Sequence, residues 1–232
     1  MKIFPFPEVV FSTSSQLSGD IKVVGDGPQR RLVIGGLVQS VSCDYPEVED
    51  KVWGKLLDFP WPVSKDPKVL VLGLGGGTAV HLISRRFSPA LIQVAEIDGA
   101  VIDVARKFFD LDKVANLKVE KADAVDFVAS SSPDLFDLIV VDIYLGSAFP
   151  TEASKEPFFR NLKKKLKTGG TVSINRIFYD HEEEVRENFK KILSNIFGGV
   201  EERVMPGKTS MKNYLYFVHR EGANNPPMGQ RS

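Results

Sequence analysis

The sequence predicts an α/β fold, in which a doubly wound sheet of mostly parallel strands follows a small N-terminal β-hairpin or sheet. Three observations predict this fold class. An apolar run at residues 69–72 breaks into glycines and leads directly into an apolar-periodic helix. From Lys68 onward, strand-like and helix-like segments alternate along the chain. Acidic residues close several of the predicted strands, where the carboxyl ends of a parallel sheet would meet.

The N-terminal part of the chain has the pattern of short strands. Residues rich in β-formers are separated by glycine turns, which favours a small antiparallel sheet or hairpin. The predicted strands cover residues 21–24, 31–34 and 37–41. A helical spacing of apolar residues follows over 44–58, and a proline-broken linker covers 59–67. We therefore predict an N-terminal β-rich region at 1–62, a larger domain at 63–221 and a disordered tail at 222–232.

The larger domain reads as alternating strands and helices. The predicted strands cover residues 69–72, 91–96, 117–120, 137–142, 171–175, 199–204 and 214–219. Four predicted helices lie between these strands. The first follows the glycine turn, the second covers 101–109, the third begins at Asp123 and the fourth covers 156–167. Gly169 and Gly170 would end the fourth helix. Asp180 is the expected N-cap of the last helix. This alternation predicts right-handed crossovers with helices on both faces of the sheet.

The glycine turn and the strand-end acids together predict a nucleoside site. Glycines let the backbone pass close to a ligand, and the following helix points unpaired N–H groups at the turn. Glu96 lies about 20 positions further on, at a second strand end, where a ribose finds its acceptor. Gly73, Asp123 and Asp142 fall at the same predicted edge. We expect these four residues to share one site.

Composition excludes some classes of protein and leaves others open. The formal net charge is +0, so nothing global attracts the chain to nucleic acid or to an anionic membrane. The single Cys43 rules out an internal disulfide, and the three histidines show no metal-ligand spacing, so no metal is expected. No stretch approaches the ~20 apolar residues of a membrane span. We predict a cytoplasmic protein, with a homodimer possible through the edges of the N-terminal strands.

The motifs of this chain resemble a known family. The succession GLGGGTA, VAEID, KADAVDF, FDLIVVD and LKTGGTVSIN resembles the Rossmann-like class I AdoMet-dependent transferases. Within them, VAEIDGAVIDVARKFF and RLVIGGLVQSV are most similar to the spermidine synthase group. The resemblance covers about residues 30–219.

The resemblance implies a role for each matching residue. Asp142 would be the catalytic carboxylate, and the acceptor would meet Gln39 and Tyr144. The donor, S-adenosylmethionine or its decarboxylated form, would be held by Gly73, Gly75, Gly77, Thr78, Glu96, Ile97, Asp123 and Ala124. Structural alternatives remain for four of these residues, and for Asp142 the alternative is a solvated acid at a strand terminus. Glu96 could be an ordinary strand-end acid, Asp123 could only cap its helix, and Tyr144 could simply pack.

Two departures from the family pattern bear on the reaction. Polyamine synthases carry GGGDGG, whose acid pairs with the ammonium of decarboxylated AdoMet, and here Thr78 takes the place of that acid. They also carry an acid three residues after the catalytic one, where this chain has Leu145. Glu47 or Glu49 could replace a missing acid.

These departures leave three functions open. A bare helix N-terminus suits the carboxylate of AdoMet, so we expect methyl transfer to an unidentified nucleophile. Polyamine aminopropyl transfer from decarboxylated AdoMet is the alternative. The third possibility is a binding module without catalysis.

Overall fold

The computed structural model describes residues 7–61, 63–130, 135–146, 148–206 and 210–221. Within these ranges the chain forms eleven β-strands and six α-helices. The strands are β1 Glu8–Ser15, β2 Gly19–Asp26, β3 Gln29–Ile34, β4 Leu37–Val41, β5 Lys68–Leu72, β6 Leu91–Glu96, β7 Leu117–Lys121, β8 Phe136–Val141, β9 Leu166–Tyr179, β10 Glu201–Val204 and β11 Met211–His219. The helices are α1 Val52–Lys55, α2 Thr78–Phe87, α3 Gly99–Phe108, α4 Ala124–Ala129, α5 Glu156–Lys165 and α6 Glu183–Phe197.

The strands form two sheets. The first is antiparallel, with the order β1-β2-β3-β4. The second has seven strands in the order β10-β11-β9-β8-β5-β6-β7, and β5 to β9 run parallel within it. β11 runs antiparallel to both of its neighbours. This arrangement confirms the predicted doubly wound α/β fold with a small N-terminal β extension.

The strand order places a crevice at the middle of the large sheet. β5 pairs with β6 on one side and with β8 on the other. The chain therefore continues in opposite directions from β5, and the loops after β5 and β8 separate at this point. A crevice at such a switch point, outside the carboxyl ends of the strands, is where open α/β sheets bind ligands.

Both faces of the large sheet are buried, which explains the continuous apolar runs of its central strands. In β5, Val69 and Val71 pack on one face with residues of α1, α2 and α3. Leu70 and Leu72 pack on the other face with residues of α4, α5 and α6. None of the helices in the described ranges is long and apolar enough to span a membrane.

The N-terminal sheet packs on helix α3. Ile21 and Leu32 are fully buried in a cluster with Val101 and Val104 of that helix. Asp98 caps α3 by accepting the Ala100 N–H through Oδ1 at 3.0 Å. Its Oδ2 accepts the hydroxyls of Ser15 and Ser18, which lie at the turn between β1 and β2. One carboxylate therefore begins a helix of the large domain and holds the small sheet against it.

Helix α1 is shorter than the predicted helix over 44–58. A 3₁₀ turn covers Val48–Asp50, and Lys51 then takes an extended conformation, with φ −81 and ψ 169, before α1 begins. The apolar spacing that suggested one long helix reflects burial, because Val48 and Leu56 face the same core cluster.

Two further boundaries differ from the prediction. Strand β9 begins directly after α5 and runs through Gly169 and Gly170, so these glycines lie inside a strand and do not end a helix. Asp180 does not cap α6, which begins at Glu183. The Asp180 carboxylate instead accepts a hydrogen bond from the Lys212 ammonium at 2.8 Å. The domain boundaries and the possible homodimer remain predictions, and Pro62 and the tail after Glu221 lie outside the described residues.

Candidate active site

A cleft lies at the carboxyl ends of β5, β6, β7 and β8. It encloses about 820 Å³, counted with the solvent at its mouth. Nine of the eleven predicted site residues line it: Gln39, Gly73, Gly75, Glu96, Ile97, Asp123, Ala124, Asp142 and Tyr144. The structure thus brings together residues from both sheets.

Gly73 lets the ends of β5 and β8 approach each other. Its φ is +87, a conformation that residues with a side chain rarely adopt. A Cβ atom at this position would lie 2.1 Å from the backbone oxygen of Asp142. Any other residue would push β8 away from the turn, so this glycine sets the position of the Asp142 backbone relative to the cleft.

Glu96 is fixed at the floor of the cleft. Its Oε2 accepts the Leu74 N–H and its Oε1 accepts the Asp98 N–H, both at 2.9 Å. The residue is only 9% exposed, and burial raises the pKa of its carboxyl while these N–H donors oppose the rise. Each carboxylate oxygen has a second acceptor position, so Glu96 can still receive ribose hydroxyls.

Asp123 caps helix α4. Its Oδ1 accepts the N–H groups of Val125 at 2.7 Å and Asp126 at 3.1 Å. The cap uses one carboxylate oxygen, and Oδ2 takes no part in it. The capping role and the predicted role in holding the donor are therefore compatible, because the residue also lines the cleft.

Asp142 lies directly after β8, where its N–H donates to the Leu72 oxygen at 2.9 Å. Its Oδ1 accepts the Asn175 amide at 2.9 Å. Burial raises the pKa of this carboxyl above its ordinary value, while hydrogen bonds from Asn175 and the Trp53 side chain act to lower it. A carboxylate with a raised pKa that lines a cleft is a suitable proton acceptor.

Tyr144 forms a fixed wall of the cleft beside Asp142. Its hydroxyl accepts the Ile177 N–H at 2.8 Å, and its ring contacts Phe149 edge-on at 5.7 Å between centroids. Burial, and next the negative charge of Asp142, raise the pKa of this phenol. The residue therefore both packs and faces the cleft, and it stays protonated.

Thr78 and Gly77 are not among the residues that line the cleft, so the structure does not bring them together with the other nine, and their contact with the donor stays a prediction. Thr78 is fully buried. Its hydroxyl is 2.6 Å from the Ser40 hydroxyl and donates to the Val41 oxygen at 2.6 Å. Its N–H points at the Ser40 Oγ, 3.4 Å away. A Cβ on Gly77 would meet Leu111 at 3.0 Å. Strand β4 thus covers the start of α2, which removes the electrostatic argument for methyl transfer.

Three residues at the site were missed by sequence reasoning. Asn175 holds Asp142, and the carboxyl-end rule could have found it because it ended a predicted strand. Trp53 and Ser18 both belong to the N-terminal region. The Trp53 side chain hydrogen-bonds to Asp142, and Ser18 lines the cleft. No local pattern in the sequence signals either of them, because both depend on how the N-terminal region packs.

The described residues that line the cleft include acidic side chains and no basic ones. Among the described residues that line it, three carry a carboxyl group and none is Lys, Arg or His. Neither of the substitute acids considered from the sequence is among them. Glu49 pairs with Arg86 instead, and Glu47 is exposed outside the cleft.

Comparison with known proteins identifies the family. The sequence profile described as "Spermine/spermidine synthase domain" matches residues 55–227, about three quarters of the chain. The chain belongs to the spermine/spermidine synthase family. The resemblance noted in the motifs is therefore confirmed.

Individual relatives agree with this family. The chain is 33% identical over 149 residues to a spermine synthase of Arabidopsis thaliana, covering 61% of this chain and 40% of the relative. It is 26% identical over 162 residues to a probable polyamine aminopropyl transferase of Bifidobacterium longum, covering 69% of this chain and 36% of the relative. The chain thus spans less than half the length of these two curated relatives.

The fold is shared with solved structures. A spermidine synthase in complex with the transition-state analogue AdoDATO superposes with a TM-score of 0.74 at 20% identity, covering 91% of this chain and 73% of that one. At this identity the likeness concerns the fold alone.

Proposed function

We propose that this protein transfers an aminopropyl group from decarboxylated AdoMet to an amine. The observation that carries the proposal is the charge of the cleft, which has three carboxyl groups and no basic side chain among its described lining residues. Decarboxylated AdoMet presents a sulfonium and an ammonium, both of which such a cleft attracts. AdoMet adds a carboxylate, for which this lining offers no cation. Membership of the spermine/spermidine synthase family supports the same reaction.

The residues present fit the proposed donor. Glu96 offers acceptor positions for the ribose hydroxyls, and Asp123 keeps one oxygen free of its helix cap for the adenine edge. Gly73 and Gly75 line the wall between these residues and Asp142. Gly75 lets the turn pack closely on strand β4, because a Cβ at this position would lie 3.1 Å from the Gln39 backbone oxygen.

Asp142 would act as the base in this reaction. The amine nitrogen attacks the aminopropyl carbon bonded to sulfur, the carbon–sulfur bond breaks, and methylthioadenosine leaves with the electron pair. The nitrogen then carries a surplus proton, which the Asp142 carboxylate accepts. Burial raises the pKa of Asp142, which makes its carboxylate a better proton acceptor than an exposed one. Help of this kind contributes about 10²–10⁴ in rate.

Calorimetric titration at pH 8 with decarboxylated AdoMet, AdoMet and methylthioadenosine tests the donor. At an effective dielectric constant of ~20, a donor carboxylate about 6 Å from Asp142 would be repelled by roughly 3 kcal/mol. That energy corresponds to about a hundredfold in affinity. We expect decarboxylated AdoMet to bind more tightly than AdoMet by at least about tenfold.

Product analysis tests the reaction itself. Incubation with decarboxylated AdoMet and a set of amines should release methylthioadenosine. Tighter binding of AdoMet, together with S-adenosylhomocysteine as the only nucleoside product, would contradict the proposal and favour methyl transfer. Asp142→Asn is the matched control, because it keeps the shape of the side chain and should still bind methylthioadenosine while losing turnover.

A further inference from the structure

The loop after β8 forms the side of the cleft next to Asp142. Leu145 lines the cleft there and is 37% exposed, and Pro150 lines it as well. The loop is held in place by two backbone hydrogen bonds between Leu145 and Ala148, at 2.9 and 3.1 Å. The Gln39 amide, from strand β4, donates to the Gly146 oxygen at 2.9 Å. The apolar surface at this end of the cleft is therefore fixed by the fold.

The carboxyl groups of the cleft are unevenly distributed. Glu96 and Asp123 follow β6 and β7, where both already accept backbone N–H groups. Asp142 is the only acid among the described lining residues that follows β8. An amine that reaches the donor from this loop meets one negative charge, at Asp142.

The charge behind Tyr144 is positive. The guanidinium of Arg176 lies 4.4 Å from the centre of the Phe149 ring and 4.9 Å from that of Phe178. Its buried Nε has no hydrogen-bond partner among the described residues. Glu182, the acid whose charge acts on Arg176, already accepts the Tyr179 N–H at 2.8 Å. A second ammonium near Tyr144 would therefore lose water and meet the positive charge of Arg176, and Asp142 is the only acid that lines the cleft after β8 in the described ranges.

We propose that the acceptor carries a single amine, presented to Asp142, and an uncharged apolar tail that packs against Leu145 and Pro150. This inference rests on the proposed aminopropyl transfer and names its acceptor class. An apolar tail removes the exposed surface of Leu145 from water, which is favourable. A diamine of the same length would instead place an ammonium against apolar surface, where an unpaired charge is costly.

Two amines of equal chain length test the inference, namely n-butylamine and 1,4-diaminobutane. With decarboxylated AdoMet as donor, kcat/KM for methylthioadenosine release should favour n-butylamine by about tenfold to a hundredfold, the range expected for a misplaced group in an apolar pocket. Leu145→Asp supplies the missing negative charge and should reverse the preference. Leu145→Asn, which has nearly the same shape and no charge, should not reverse it.

A binding measurement separates this inference from the proposed reaction. If no amine gives methylthioadenosine, the aminopropyl transfer is refuted, and the amine preference of the cleft is then measured by titrating both amines into protein saturated with methylthioadenosine. Tighter binding of n-butylamine would then support the part of the inference that concerns the cleft, namely that it takes one amine and an apolar tail. Equal or tighter binding of 1,4-diaminobutane by the wild-type protein would overturn it, as would an unchanged preference in a folded Leu145→Asp variant.

Discussion

Removal of the Asn175 amide should shift the pH dependence of the reaction. Asn175 donates to Asp142 Oδ1 at 2.9 Å, and this bond holds the pKa of Asp142 below the value that burial alone would give. In Asn175→Leu the side chain keeps its size and loses the donor. A hydrogen bond to a charged group contributes about 1.5–3 kcal/mol, and one pKa unit corresponds to about 1.4 kcal/mol. The pKa of Asp142 should therefore rise by about one to two units.

The assay is the pH profile of kcat/KM for methylthioadenosine release. The base works as the carboxylate, so activity increases with pH through the pKa of Asp142. In Asn175→Leu this acid limb should move upward by about one to two pH units, with the activity at high pH largely retained. The folded state should tolerate the change, because Oδ1 of Asn175 is itself buried without a partner among the described residues.

Ser173→Ala is the matched control for this experiment. Ser173 lies two residues earlier in β9, is equally buried, and bonds the Leu56 oxygen at 2.6 Å. Its replacement should leave the acid limb in place. If Asn175→Leu instead lowers activity equally at every pH, the hydrogen bond does not tune the base, and the assignment of Asp142 as the proton acceptor loses its main support.

Three further changes have defined outcomes. Asp142→Asn should raise the melting temperature at pH 7, because burial raises the pKa of this carboxyl and its ionised form therefore destabilises the fold. The loss of stability caused by the ionised carboxylate grows as pH rises. The gain in the variant should therefore vanish near pH ~4, where the carboxyl is protonated in the unfolded chain as well. Glu96→Ala should weaken the binding of decarboxylated AdoMet and of methylthioadenosine alike in calorimetry, because both ligands contain the ribose. Unchanged affinities would show that Glu96 does not bind the ribose. Thr78→Val should lower the free energy of unfolding in urea by about 1–3 kcal/mol, because the buried Val41 oxygen loses the hydroxyl that donates to it. The ratio of AdoMet to decarboxylated AdoMet affinities should stay the same in Thr78→Val, and a changed ratio would show that this residue does influence the donor.

The predicted residues that the structure brings together in one cleft follow one local rule. Gly73, Glu96, Asp123 and Asp142 each come directly after an apolar run, and parallel strands place such positions at one edge. The runs are unambiguous because the central strands are buried on both faces. Local pattern was therefore sufficient for the large sheet and for the floor of the cleft.

What the sequence did not predict depends on contacts between distant segments. Thr78 follows the glycines as a helix start should, but only the packing of Ser40 and Val41 shows that this start is covered. The preference for methyl transfer was built on an open helix terminus, and the packing of strand β4 on that terminus removes this support for it. Trp53 likewise reaches Asp142 from a region whose placement no periodicity encodes.

The joining of the two sheets has a consequence for the way the chain is made. Ser18 and Asp98, which bond each other, are 80 positions apart, and Gln39 and Gly146 are 107 apart. At roughly 5–20 residues per second, a ribosome needs about 4–16 s to add the residues that separate the first pair, the second of which begins helix α3. During that interval Ile21 and the apolar residues beside it have emerged without the helix that covers them. A ligand cannot rescue the chain at this stage, because the walls of its cleft are still being synthesised.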